Sequence, residues 1–278
     1  MKLSIGISPC PNDTFIFDAM LNGKVDTEGL SFDYRLEDVE TLNKLANTSS
    51  LDISKVSYGA VHNLLERYII LNSGGALGKG VGPLVVSKKF SEKMLPPHES
   101  RIALPGVNTT AHLLFSMIFP EHTNKVFMPF DLIQDAIISG SVDAGVIIHE
   151  NRFTYHEKGL NKITDLGDEW EKVTELPIPL GGIIARRDLD TTILKTIDRV
   201  IARSLEHALQ QGHELPEFVT ANAQEMSESV MINHINLYVN DYSLAMGEMG
   251  RSAVRKLLNV SQQINSTNQI LTEEMFLD

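Results

Sequence analysis

The sequence predicts an α/β protein of two lobes facing each other across a cleft, with a helical C-terminal tail. Three observations carry that expectation. Short apolar runs alternate with amphipathic segments from the amino terminus to about residue 187, the pattern of strands and helices packed in layers. Two stretches about ninety residues apart, Leu51-Asp52-Ile53-Ser54-Lys55-Val56-Ser57-Tyr58 and Val142-Asp143-Ala144-Gly145-Val146-Ile147-Ile148-His149, repeat one order of elements: a small turn after a helix, then a short strand. Beyond Leu189, apolar positions recur at helical spacing over residues 191–211, 222–237 and 243–258.

Taken in order, the apolar runs predict strands at residues 2–8, 30–35, 53–57, 68–72, 82–87, 101–104, 125–130, 144–148 and 181–186, with helices in most of the gaps. A second repeat supports the first. Strand, Pro9-Cys10-Pro11-Asn12-Asp13-Thr14 and helix 15–21 in one half correspond to strand, Pro105-Gly106-Val107-Asn108-Thr109-Thr110 and a helix from Ala111 in the other. Glycine-rich 74–82, leading into the strand 83–87, and the segment 176–182, leading into 183–186, are the expected crossings between lobes and make a hinge. The expected lobes are 1–86 with 178–278, whose tail packs back on the first lobe, and 87–177. Ligand groups belong at the carboxyl ends of the strands, where α/β sheets place them.

Composition narrows the function classes. A single cysteine excludes an intrachain disulfide and a Cys-based zinc site. A net charge of −12 without clustered Lys and Arg disfavours nucleic acid. No stretch reaches the roughly 18 apolar residues of a membrane span, and only about six weakly apolar residues follow Lys2 before Pro9 ends the run, too few for a signal peptide. A cytoplasmic protein with no membrane partner is expected. Gly74-Gly75-Ala76-Leu77-Gly78-Lys79-Gly80 is not a P-loop, because its first glycine is misplaced and Gly80 stands where Ser or Thr should hold magnesium. No G-x-S-x-G, H-E-x-x-H or G-x-G-x-x-G occurs, and His149 with His156 lacks a recognised ligand spacing. No metal and no cofactor are expected.

Four places are candidates for chemistry. Asn12, Asp13 and Thr14, and likewise Asn108, Thr109 and Thr110, sit where helices should begin and suit N-capping; two such helix starts facing one cleft would also suit a carboxylate or phosphate. Lys55, on the strand with Val56 and Ser57, reads either as a surface charge or as an anion-binding group. His149 ends an apolar run and precedes Glu150, so it is either a structural histidine or a proton acceptor at the cleft, since imidazole titrates near neutral pH. Of the other histidines, His112 and His207 fall in helical stretches and His98 and His122 in polar loops. Cys10 reads as a small buried thiol.

The motifs Ser8-Pro9-Cys10-Pro11-Asn12-Asp13-Thr14-Phe15, Lys55-Val56-Ser57-Tyr58-Gly59-Ala60, Asn108-Thr109-Thr110-Ala111 and Gly145-Val146-Ile147-Ile148-His149-Glu150 together resemble the 1,4-dihydroxy-6-naphthoate synthase family of the futalosine route to menaquinone. The resemblance implies a type II periplasmic-binding-protein-like fold. It also implies a cytoplasmic carbon–carbon lyase, without cofactor, that converts cyclic dehypoxanthine futalosine to 1,4-dihydroxy-6-naphthoate and dihydroxyacetone. In this reading His149 is the proton acceptor, Lys55, Val56, Ser57, Thr109 and Thr110 contact the substrate, and Asn12, Asp13 and Thr14 wall the cleft opposite His149. The partner is then a small anionic substrate and the protein a monomer or homodimer. Two alternatives share the expected fold: a non-catalytic solute-binding protein for small carboxylates, and the related chorismate dehydratase. A ligand-sensing regulatory domain would need a DNA-binding segment, and none is read here.

Overall fold

The apolar runs pair into two sheets in a computed structural model that describes residues 1–89, 95–212, 215–223, 227–265 and 271–278. The chain begins β1 (Lys2–Ile7), α1 (Pro11–Leu21), β2 (Ser31–Leu36), α2 (Val39–Asn47), β3 (Ile53–Ser57), α3 (Tyr58–Val61), β4 (Tyr68–Ile70) and β5 (Ala76–Gly78). It continues β6 (Leu84–Ser87), β7 (Ile102–Leu104), α4 (Thr110–Ile118), β8 (Lys125–Phe127), α5 (Ile133–Ile138), β9 (Ala144–Ile147), α6 (Asn151–Thr154), β10 (Asn161–Asp165) and α7 (Leu166–Thr174). It ends β11 (Ile178–Arg186), α8 (Thr191–Gln210), α9 (Glu217–Asn222), α10 (Glu228–Tyr238), α11 (Asp241–Leu244) and α12 (Gly247–Asn265).

The first sheet runs β2-β1-β3-β11-β4, with β5 also on β11; the second runs β10-β6-β9-β7-β8. The two share one plan. In the first, β1 is parallel to β2 and β3, and β3 is antiparallel to β11. In the second, β7 is parallel to β8 and β9, and β9 is antiparallel to β6. Strands β1, β2, β3 and β11 therefore correspond to β7, β8, β9 and β6. The repeated stretches at 51–58 and 142–149 are the equivalent strands β3 and β9 with their flanks. The fourth strand of each set is exchanged along the chain: β6 follows the first set yet joins the second sheet, and β11 returns to the first. Because β6 starts at Leu84, the boundary expected between residues 86 and 87 falls inside that strand.

Burial explains the order. Every residue of β3 and of β9 is buried, as expected for central strands covered on both faces. Helix α8 lays Ile197 and Ile201 among Leu3, Ile5, Ile7 and Phe17 of β1 and α1, and Ser204 Oγ donates to Ile16 O at 2.6 Å while accepting from Met20 N at 3.1 Å. The middle and C-terminal part of α1 are thereby fixed from behind. The tail differs in detail from the spacing. The helix expected at 222–237 is α9 and α10, with residues 224–226 outside the described set, and that expected at 243–258 is the short α11 followed by α12.

The crossings are tied down. Arg152 donates to Gly80 O at 2.8 Å, to Gly82 O, and to Asp165 Oδ2 at 2.8 Å, and Gly80 N donates to Glu171 Oε1 at 2.7 Å. At Gly82 a Cβ would lie 2.2 Å from Gly167 N, so only glycine lets these backbones meet. Among the described residues no helix is long and apolar enough to cross a membrane.

Candidate active site

The carboxyl ends of β1, β3, β7 and β9 open on one cleft of about 660 Å³, counting the space at its mouth. Its lining joins polar Ser8, Asn12, Asp13, Lys55 and Ser57 to apolar Val39, Val81, Pro83, Ile148 and Leu180. The mixture suits a ligand with an apolar ring system and a few polar groups.

His149 follows β9 with φ of 57°, a left-handed conformation that non-glycine residues rarely adopt and that clusters at functional sites. Its ring is half-buried, meets Phe130 edge-on at 4.8 Å between centroids, and places Nδ1 3.2 Å from Cys10 Sγ. The residue lines the cleft. Burial lowers its pKa to about 4, with the ion-paired Asp13 and Lys55 pulling in opposite directions, so at neutral pH the ring is an uncharged base. Burial, reinforced by Glu150, pushes the Cys10 thiol well above its ordinary range. The loop from Ser8 to Thr14 thus abuts His149 through Cys10 instead of standing across the cleft from it.

Asn12, Asp13 and Thr14 are not caps. Cys10 is the N-cap of α1 and Pro11 occupies the first helical position, where proline's missing N–H costs nothing. The other three lie in the first turn. Asp13 Oδ1 accepts from Lys55 Nζ at 2.5 Å and from Asn12 Nδ2 at 2.9 Å, and its Oδ2 accepts from Ser8 Oγ at 2.7 Å. Lys55 is therefore neither a surface charge nor a free anion site but half of a buried ion pair, its side chain 7% exposed. Thr14 Oγ1 donates to Cys10 O at 3.1 Å and does not line the cleft.

Val56 packs in the core beside Tyr58 and does not line the cleft. Ser57 does reach the cleft. Asn43 holds it, accepting from its N–H at 2.9 Å and donating to its Oγ at 3.1 Å, which leaves the hydroxyl proton for a ligand. Thr109 caps α4 as expected, its Oγ1 accepting from His112 N at 3.2 Å and donating to Gly106 O at 2.9 Å. Thr110 Oγ1 donates to Leu180 O at 2.7 Å and accepts from Gly59 N at 3.0 Å, bridging the two sheets. Both threonine hydroxyls are engaged within the protein. What α4 can offer an anion is its N-terminal N–H groups and dipole.

The sequence reading did not single out His234 and Tyr238 of α10, which also line the cleft. Their signal was a histidine on the stripe made by Met231, Ile235 and Tyr238, all buried. Cys10, His149 and Glu150 are also brought together: one ligand atom from each falls within 4.8 Å of the others, a grouping that sequence spacing does not reveal. It coincides with the neutral His149 and the protonated thiol, which any ion would first have to deprotonate.

A family described as menaquinone biosynthesis matches residues 3–263. The chain is 44% identical over 255 residues to the 1,4-dihydroxy-6-naphtoate synthase of Thermus thermophilus, covering 92% of each chain. It is 40% identical over 261 residues to the enzyme of that name from Streptomyces coelicolor, covering 92% of this chain and 91% of the other. In structure it is similar to protein AF1704 of Archaeoglobus fulgidus, with a TM-score of 0.89 at 34% identity over 95% of this chain and 98% of the other. It also matches the Candida albicans CA3427 product, described as having the generic periplasmic binding protein fold, with a TM-score of 0.66 at 11% identity over 98% of this chain and 99% of the other. The fold is that of the periplasmic binding proteins, and the chain belongs to the menaquinone biosynthesis family.

Proposed function

We propose that this protein is a cytoplasmic carbon–carbon lyase converting cyclic dehypoxanthine futalosine to 1,4-dihydroxy-6-naphthoate, with release of dihydroxyacetone. The observation that carries the reading is His149, an uncharged imidazole held in a left-handed backbone at the end of β9, with Nδ1 against Cys10 and its side chain lining the cleft. The names of the Thermus and Streptomyces relatives support it.

His149 Nε2 takes the proton whose loss starts fragmentation, and aromatisation of the naphthoate ring drives the step forward. In the tautomer this requires, Nδ1 carries the other proton and donates it to Cys10 Sγ. The apolar walls at Val39, Val81 and Leu180 hold the ring system and exclude water from the base. Ser57 Oγ and the first turn of α4 receive the substrate carboxylate. Lys55, bound to Asp13, adds its field at the same end of the cleft. The two lobes, one built on each sheet, close on the small anionic substrate.

The test is incubation of purified protein with cyclic dehypoxanthine futalosine, following 1,4-dihydroxy-6-naphthoate by chromatography, beside His149→Asn. Turnover by the parent and its collapse in the variant are expected. Absence of product from the parent sinks the lyase assignment, and tight binding without turnover points instead to a solute-binding protein.

A further inference from the structure

His234 exposes none of its surface to solvent, and among the described residues neither Nδ1 nor Nε2 has a hydrogen-bond partner. Yet it lines the cleft. Its ring lies nearly parallel to that of His149, 19° apart with centroids at 6.3 Å, and Tyr238 backs it at 4.6 Å. Buried polar groups are almost always paired, and an orphaned one in a fold calls for an explanation. The neighbours Met231 and Ile235 show that an apolar residue would fit this stripe of α10. A histidine there, with two unmet hydrogen-bonding atoms, costs stability that a bound partner would restore.

We propose that His234 is a direct ligand contact of the cleft, hydrogen-bonded to a hydroxyl of the substrate bound beside His149. The inference rests on the lyase reading for the identity of the ligand. Burial, with His149 and Lys55 acting in the same direction, keeps the imidazole uncharged, so one nitrogen donates and the other accepts. A hydroxyl can donate to the unprotonated nitrogen or accept from the N–H, and so pairs with whichever of the two faces the cleft. A carboxylate only accepts, and it is served better by Ser57 and the start of α4. His234 thus reads the oxygenated ring of the ligand while the opposite end is held by charge. In the arrangement described no water reaches either nitrogen, so the bonds form when opening of the lobes admits the ligand. The contact also gives the C-terminal tail a place in recognition that neither sheet supplies.

The experiment is calorimetric binding, under reducing conditions, of 1,4-dihydroxy-6-naphthoate and of naphthalene-2-carboxylate, which lacks both hydroxyls. The proteins are the parent, His234→Phe and His234→Gln. The parent should bind the dihydroxy compound about tenfold more tightly than its bare analogue, the effect of one buried hydrogen bond. His234→Phe should bind the two alike, and His234→Gln, which keeps a donor and an acceptor, should recover part of the preference. Melting of His234→Phe at or above the parental temperature would show that the loss is not misfolding; if that variant does not fold, His234→Met is read in its place. An undiminished preference in the apolar variant, or no preference or no binding in the parent, overturns the contact. Turnover of cyclic dehypoxanthine futalosine by the parent is measured in parallel. Its absence alongside an intact, His234-dependent preference overturns the lyase assignment and leaves the contact standing.

Discussion

Cys10 Sγ lies 3.2 Å from His149 Nδ1, joining the loop after the first strand to the end of β9 across 139 positions of sequence. At this distance the thiol fixes the ring's rotation, and when its sulfur accepts from Nδ1–H the ring is the tautomer that leaves Nε2 basic. Cys10→Ala should lower kcat about tenfold with little change in KM, because orientation of the base is lost while the binding walls stay. Cys10→Ser, with a stronger acceptor, should keep most of the rate. Steady-state kinetics of the two variants check this, and an unchanged kcat in Cys10→Ala removes Cys10 from the mechanism.

The pH profile of kcat/KM reports the free enzyme's base. With burial lowering His149 to about 4, the rate should hold steady from pH 7 down to about 5 and fall with a midpoint near 4. An acid limb centred near the ordinary histidine value of about 6.5 would place the base elsewhere or in a wetter site.

Stability should respond to acid in a different window. Burial lowers the pKa of His149, His62, His112 and His234 alike. The unfolded chain takes up these protons near pH 6.5, whereas the native state accepts them only at lower pH. Their contribution is therefore complete above about pH 6.5 and is lost as pH falls toward 4. Melting temperature should be flat from pH 8 to 7 and lower by about 5 °C or more at pH 5, measured by scanning calorimetry. A curve level from 7 to 5 contradicts the assigned burial.

The Lys55–Asp13 pair is almost wholly enclosed. Removing one partner leaves a charge buried without its counter-ion, which costs about 3–5 kcal/mol, whereas removing both costs much less. Asp13→Asn and Lys55→Met should each destabilise by that order in urea unfolding, and the double variant should be more stable than either. Additive losses would mean that the pair is not coupled.

Much of the frame was legible because central strands are continuous apolar runs: β3 keeps the bounds its sequence predicts, and β9 differs by one residue at its end. Two strands were not. β5 is three residues inside a glycine-rich stretch, and β10, Asn161–Asp165, sits on the sheet edge with a mostly polar face. Nor did spacing reveal that α1 starts at Pro11, since the proline reads as part of a loop until its place at the first helical position is seen. At the site, His149 was visible as the polar end of an apolar run. The pairing of Lys55 with Asp13 and the contact of Cys10 with His149 depend on how the sheets meet, and no local pattern encodes that. His234 was hidden by its own helix, where a polar residue on an apolar stripe reads as packing.

The exchange of β6 and β11 between the sheets sets a timetable for the nascent chain. The second sheet is complete once residue 165 has been made, because β6 through β10 are then all available. The first sheet, although five of its six strands are synthesised earlier, has a gap between β3 and β4 until β11 arrives. On the ribosome, the half of the protein encoded first is thus the half that closes last, and a transcript truncated before residue 178 would yield one finished sheet and one with an open seam.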